Sequence, residues 1–180
     1  MTNEFSKDLY RHYGEKGESF LRRVFRPPEL KFTAAFRKAQ GCKIFPVKIY
    51  YMLRLRRLSY KTGIQIPART RIGEGFYIGH CGRIIIHPDA VLGKNINIGT
   101  GVTIGIENRG KRQGVPTLED NCWIGTNAVV VGNVHIGTDV LIAPLSYVNF
   151  DVPAHSVVIG NPARIIPKEN ATGKYICNRV

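Results

Sequence analysis

The stretch Ile124-Gly-Thr-Asn-Ala-Val-Val130-Val-Gly-Asn-Val-His-Ile136-Gly-Thr-Asp-Val-Leu-Ile142 decides the fold. Ile124, Val130, Ile136 and Ile142 fall six apart. Gly125 and Gly137 follow two of them directly, and the small or β-branched residues Cys122, Ala128, Val134 and Val140 sit two before. A helix needs an apolar beat near 3.6 and a lone strand a beat of 2, so neither accounts for this one. A short strand and a turn, repeated, does account for it. Outward from this stretch the beat reaches back to Leu118 and forward to Val148. It recurs upstream at Ile86, Leu92, Ile98 and Ile104, and before that at Ile66, Ile72, Ile78 and Ile84.

Each aliphatic residue is expected to point inward, with the following glycine easing a turn. Three hexads close one triangular coil of about 18 residues, and stacked coils bury a continuous aliphatic column. The two runs predict four to five coils of a parallel β-helix. The beat slips twice, at residues 84–86 and 105–117. The second slip is the polar, basic run from Ile106 to Thr117, which reads as a loop thrown out of the prism. Loops on rigid scaffolds are where chemistry is commonly placed.

The chain of 180 residues fits one domain with an appendage. It has no run of 18 apolar residues, so no membrane-spanning helix is expected, and its first residues do not read as a secretory signal. Cys42, Cys81, Cys122 and Cys177 are widely spaced without a C-x-x-C pair, which fits mostly buried free thiols in a reducing cytoplasm. The net charge of +13 is uneven: residues 1–62 carry +10 and the remainder +3.

That basic third is predicted to be helical. One helix is expected over residues 4–24, stopped by Pro27 and Pro28, and another from Ala34 to Gln40. A third, amphipathic and cationic, runs from Lys48 to Lys61 and breaks at Gly63. Two readings of it stay open: a helix packing its Leu/Tyr face on the prism, or one facing an anionic membrane surface or polymer. No nucleic-acid module is visible, so nucleic acid is not an expected partner. The predicted organisation is therefore a mainly β chain, with a helical region at 1–62, the β-helix at 63–166 and a tail at 167–180.

Three segments carry a family resemblance. They are Ile78-Gly-His-Cys-Gly-Arg-Ile-Ile-Ile86, the loop from Thr103 to Leu118, and the ending Val152-Pro-Ala-His-Ser-Val-Val-Ile-Gly-Asn-Pro-Ala-Arg164. With the hexads, they make residues 60–166 resemble the hexapeptide-repeat acyltransferases, most of all serine acetyltransferases and related envelope-sugar O-acetyltransferases. The resemblance implies a left-handed β-helix, a homotrimer with sites between neighbouring prisms, acetyl-CoA as donor, no metal, and a cytoplasmic protein, at the inner face of the membrane if the basic region binds there.

Acetyl transfer to an alcohol needs a base, an oxyanion donor and a groove for the carrier. His80 matches the family's catalytic histidine, and neutral imidazole is available near neutral pH. Gly125, Thr126, Ala143, Pro144 and Arg164 match the family's CoA groove, with a backbone donor near Gly105. His87, Arg109, Lys111 and Arg112 are candidates for binding the acceptor. Cys81 beside His80 is disfavoured as a nucleophile, since neighbouring residues on a strand face opposite ways. His12, His135 and His155 read as surface residues, and Trp123 as an outward face for an interface or a stacked ligand. The pattern also departs from serine acetyltransferases. Gly79 stands where an aspartate is usual before the catalytic histidine, Gln65 where a carboxylate orients it, and Val115 where a loop histidine meets serine. These losses make an envelope-sugar hydroxyl the first expected acceptor and L-serine the alternative. They leave the partner of His80 open, with Glu74 merely close in sequence.

Overall fold

A computed structural model describes residues 3–180. The N-terminal region folds as α1 (Asn3–Tyr13), a 3-10 turn, α2 (Phe20–Val24), α3 (Pro28–Gly41) and α4 (Phe45–Thr62). The single helix expected over residues 4–24 is broken, because Gly14 and Gly17 take φ of 58° and 59°, outside helical space. The prolines begin a helix rather than only ending one. Pro28 opens α3, where its missing N–H costs nothing. Gly63 closes α4 as expected, at φ 76°, with its N–H donating to the Ser59 carbonyl.

From Ile64 onward the chain winds as a three-sided parallel β-helix of about five coils. The first face holds β1 (Ile64–Gln65), β4 (Ile84–Ile86), β7 (Thr103–Gly105), β10 (Val129–Val131) and β13 (Tyr147–Val148). The second holds β2 (Arg71–Ile72), β5 (Val91–Leu92), β8 (Thr117–Leu118) and β11 (His135–Ile136). The third holds β3 (Tyr77–Ile78), β6 (Asn97–Ile98), β9 (Trp123–Ile124), β12 (Val140–Ile142) and β14 (Ser156–Gly160), with β15 (Ala163–Pro167) returning antiparallel along β14. The aliphatic beat is the axis of this prism: Ile66, Ile78, Ile86, Ile98, Ile104, Ile124, Ile136 and Val148 are all buried in one core.

Coil length locates the slips. Ile85 pairs with Thr103 and Val129 with Tyr147, a rise of 18 residues per coil. Ile64 pairs with Ile84, a rise of 20, and Thr103 with Val129, a rise of 26. The two extra residues widen the corner between Ile78 and Ile86, and the eight extra residues form the loop after Gly105. The glycines after the hexad residues serve a different purpose from the one expected. A Cβ on Gly125 would lie 2.6 Å from Pro144 N, and one on Gly137 2.5 Å from Ala154 N, so coil stacking excludes a side chain there. The left-handed corner positions fall elsewhere, on residues such as Asn95, Asn127, Asp139 and Leu145.

The helices dock on the first coil and close its open end. Phe32, Phe36 and Leu55 join the prism core. Polar side chains meet the backbone groups that no earlier coil can pair. Arg37 donates to the carbonyls of Ile72 and Gly73 at 2.7 and 2.5 Å, and Gln40 to that of Thr70 at 2.7 Å. Phe76 N–H donates to Asp8 at 2.8 Å, and Arg11 to the Gly75 carbonyl at 3.2 Å. Arg37 and Asp8 also form a buried bidentate pair at 2.8 and 3.1 Å. The tail from Lys168 to Val180 runs back along the prism. Asp139 accepts hydrogen bonds from the Ala171 and Thr172 N–H groups and the Thr172 hydroxyl. Asn95 exchanges two hydrogen bonds of 2.9 Å with the backbone of Val180.

Candidate active site

His80 sits on the widened corner where the chain turns from the third face to the first, and its ring is exposed. The same edge continues upward through Thr100, then Gly125 and Thr126, then Ala143 and Pro144. The coils are tied along it: Asn127 N–H donates to the Thr100 carbonyl at 2.8 Å and Leu145 N–H to that of Thr126 at 3.0 Å. At about 4.8 Å per coil, Thr126 lies two rungs, roughly 10 Å, above His80. The β14–β15 hairpin ends at this edge, since Gly160 N–H donates to Ser146 Oγ at 3.0 Å. Arg164, opposite Ile159 in that hairpin, is exposed. Five predicted groove residues and the candidate base therefore share one side of the prism. Thr126 and Pro144 are exposed on the ridge, while Gly125 and Ala143 are buried, Ala143 against Ala171 of the tail; the Arg164 guanidinium beyond the last coil suits an extended carrier with anionic groups at its far end.

His87, Gly105 and the loop after Gly105 occupy the opposite edge of the first face. One chain does not bring them to His80. His87 is partly buried, and its Nδ1 accepts from Asp89 N–H at 3.2 Å. The loop is an ordered finger. Glu107 and Gly114 pair antiparallel through hydrogen bonds of 2.9 and 3.0 Å, and Arg112 reaches Asp151 at 3.2 Å. Arg112 is thus held against the prism, while Arg109 and Lys111 stay exposed.

Several side chains are placed differently from expectation. Glu74 is engaged by Lys7 and Lys94 at the far edge, so it does not orient His80. Gln65 is exposed on the first face and lines a groove of about 850 Å³ between α4 and the prism, with His87 at its margin. Among the described residues, no hydrogen bond to the His80 ring is present. Cys81 points back toward α3, with its thiol 3.4 Å from Glu29 Oε2. Burial and that carboxylate push the thiol up to about 11, which disarms it as a nucleophile. All four cysteines are free, but only Cys122 is buried; Cys177 is exposed, because the tail that carries it lies on the surface.

Trp123 faces outward from the third face and is covered by the chain's own tail, with Tyr175 5.0 Å away between ring centroids. It is partly buried, and the tail takes up part of the outward surface expected to meet a neighbour or a stacked ligand. His12 is not a free surface residue. It stacks on Tyr77 at 4.2 Å, and burial beside Arg11 lowers it to about 4. His135 and His155 are exposed as expected, but each is paired, with Glu119 at 2.9 Å and with Asp139 at 3.0 Å. The tail clasp was invisible in the sequence, since single Asn, Asp and Thr contacts leave no periodic trace.

The family model described as bacterial transferase hexapeptide (six repeats) matches residues 116–149. The match falls within the β-helix, from β8 to β13. Several of the chain's relatives are named serine acetyltransferase. Serine acetyltransferase 2 of Arabidopsis thaliana is 37% identical over 110 residues, covering 61% of this chain and 34% of that one. The serine acetyltransferase of Bacillus subtilis (strain 168) is 33% identical over 125 residues, covering 68% of this chain and 58% of that one. A crystal structure of Neisseria gonorrhoeae serine acetyltransferase in complex with serine superposes with a TM-score of 0.72 at 28% identity, covering 91% of this chain and 66% of that one. The chain thus spans about a third to three-fifths of these curated relatives' length, and its β-helix is similar to serine acetyltransferases in sequence and fold.

Proposed function

We propose that this chain is an acetyl-CoA-dependent O-acetyltransferase. The observation that carries the reading is the single edge shared by His80, Gly125, Thr126, Ala143 and Pro144. Acetyl-CoA would lie along that edge, with its phosphates toward Arg164 and its thioester toward His80. Neutral His80 takes the acceptor's hydroxyl proton as the oxygen attacks the acetyl carbonyl. The tetrahedral intermediate collapses with loss of the CoA thiolate, which recovers the proton from His80. Oxygen–carbon bond formation and carbon–sulfur cleavage balance without a metal or a covalent enzyme intermediate.

L-serine is the acceptor that the comparisons favour, because the relatives are named for it. The envelope-sugar reading draws no support from them. It is kept second on one observation: Gln65, Gly79 and Val115 put no charge where a zwitterionic amino acid would need one. The same reading makes the working unit a homotrimer in the cytoplasm. His80 and the His87 edge flank the first face of one prism, so a neighbouring copy laid against that face would bring its loop, with Arg109 and Lys111, toward His80. Free-thiol release from acetyl-CoA, measured with serine, nucleotide sugars and polysaccharide fragments, tests the proposal. Turnover with serine upholds it, turnover with a sugar alone moves it to the second acceptor, and silence with every acceptor despite CoA binding overturns it.

A further inference from the structure

The N-terminal region carries a surface that folding leaves bare. α4 uses only Tyr51, Leu55, Leu58 and Thr62 to pack inward. Phe45, Leu53 and Tyr60 remain 74%, 62% and 76% exposed on it, and Phe20 and Phe25 at the two ends of α2 are 79% and 77% exposed. Isolated apolar residues on a surface need no explanation, but a set this large on two adjoining elements does.

The charge on these elements is equally one-sided. From Leu30 to Gly73 the sequence runs 44 residues without an Asp or Glu and holds 11 Lys or Arg. Arg37 is matched by Asp8 and Arg69 by Asp89, while Lys48, Arg54, Arg57 and Lys61 are exposed along α4. α2, α3 and α4 converge on a hollow of about 80 Å³ lined by Arg23, Arg26, Lys38 and Arg54. Arg26 is neutralised by Glu18, and Lys38 donates to the Tyr51 hydroxyl at 3.2 Å. Among the described residues, Arg23 and Arg54 have no carboxylate partner.

We propose that this face docks on an anionic phospholipid bilayer. Phe20, Phe25 and Phe45 enter the boundary between headgroups and acyl chains, while Arg23, Arg54, Arg57 and Lys61 meet lipid phosphates. No helix among the described residues is long and apolar enough to cross a membrane, so the contact is with the surface. Charge decides against a second copy as the occupant. Two such faces would set cations against cations. A polyanion such as nucleic acid would satisfy the charge but leave the apolar side chains in water. The inference does not depend on the acetyltransferase reading, since none of these residues lies on the His80 edge.

Co-sedimentation of the full chain with vesicles tests it. Binding to phosphatidylcholine mixed with phosphatidylglycerol, little binding to phosphatidylcholine alone, and weakening with salt are the expected results. Arg23→Glu with Arg54→Glu should weaken binding at least about tenfold, since each basic residue near a charged bilayer contributes about fivefold. Phe25→Ser with Phe45→Ser should also release the protein, with the circular dichroism spectrum and melting unchanged for both pairs. Equal binding to neutral and anionic vesicles, no binding to either, or a charge-reversed protein that keeps its vesicle affinity but changes its mass in solution would each overturn the proposal. The last of these would assign the face to contact between copies.

Discussion

Two edges of the same prism are treated in opposite ways. The edge between the second and third faces is covered. α1 and the tail lie over it, and Glu74, Asn95 and Asp139 are each tied to a distant segment by hydrogen bonds or ion pairs. The His80 edge is more open: His80, Thr126 and Pro144 are exposed, and the tail reaches it only where Ala171 packs on Ala143. The first edge uses its polar groups to hold the chain together, and the second leaves the His80 ring without a hydrogen-bond partner among the described residues. The residues that tie segments together and the candidate site residues are thus separated by position around the prism rather than along the sequence.

Exchanging the two roles gives measurable tests. The largest effect is expected from His80→Ala, a loss of about 10²–10⁴ in turnover with an unchanged melting temperature. A variant as active as the wild type would return this edge to a structural role. Arg37→Ala strikes the other side. It leaves Asp8 buried without its partner and should destabilise the fold by about 3–5 kcal/mol, read by urea unfolding. A loss below about 1 kcal/mol would show that solvent reaches the pair.

The tail clasp should respond to acid. Burial alone would raise the Asp139 carboxyl, but hydrogen bonds from Thr172, His155 and Ala171 outweigh it and hold the group at about 2, against an ordinary 3.8. A depressed native value stabilises the fold fully above 3.8, and that contribution drains away as pH falls toward about 2. Amide exchange in residues 168–180 should therefore accelerate across that window in the wild type and be fast throughout in Asp139→Asn. Protection that does not change across the window would remove Asp139 from the clasp. The smallest effect is expected from Cys81→Ser, with turnover within about twofold of wild type, since a thiol held near 11 takes no part in direct transfer. Abolished turnover, or a trapped acetyl-thioester, would reopen covalent catalysis.

The prism was legible because its cause is periodic. Every coil repeats the same burial requirement, so Ile66 through Val148 announce the axis without any tertiary information. Even the slips were informative, for the residues that break the beat are the ones that carry His80 and the loop. The offset at 84–86 was read at its downstream end, while the extra residues lie in the preceding corner. What the sequence hid is aperiodic. Gly125 looked like a turn residue because a glycine forbidden by the next coil and a glycine required by its own φ are spelled alike. The pairing of Tyr175 with Trp123, and of Val180 with Asn95, joins segments more than fifty residues apart with no repeated spacing. The division of His80 and His87 between two edges follows from which corner each occupies, and the beat sets that only once the coil length is known.

The side chains that meet the first coil have one more consequence. Arg37, Gln40, Asp8 and Arg11 occupy carbonyls and an N–H that would otherwise form a bare rung, facing outward and ready to template another molecule's strand. The helical region is in this sense a stopper. A fragment beginning at Gly63 would keep its aliphatic axis but expose that rung, and would be expected to stack end to end into filaments rather than stay dispersed.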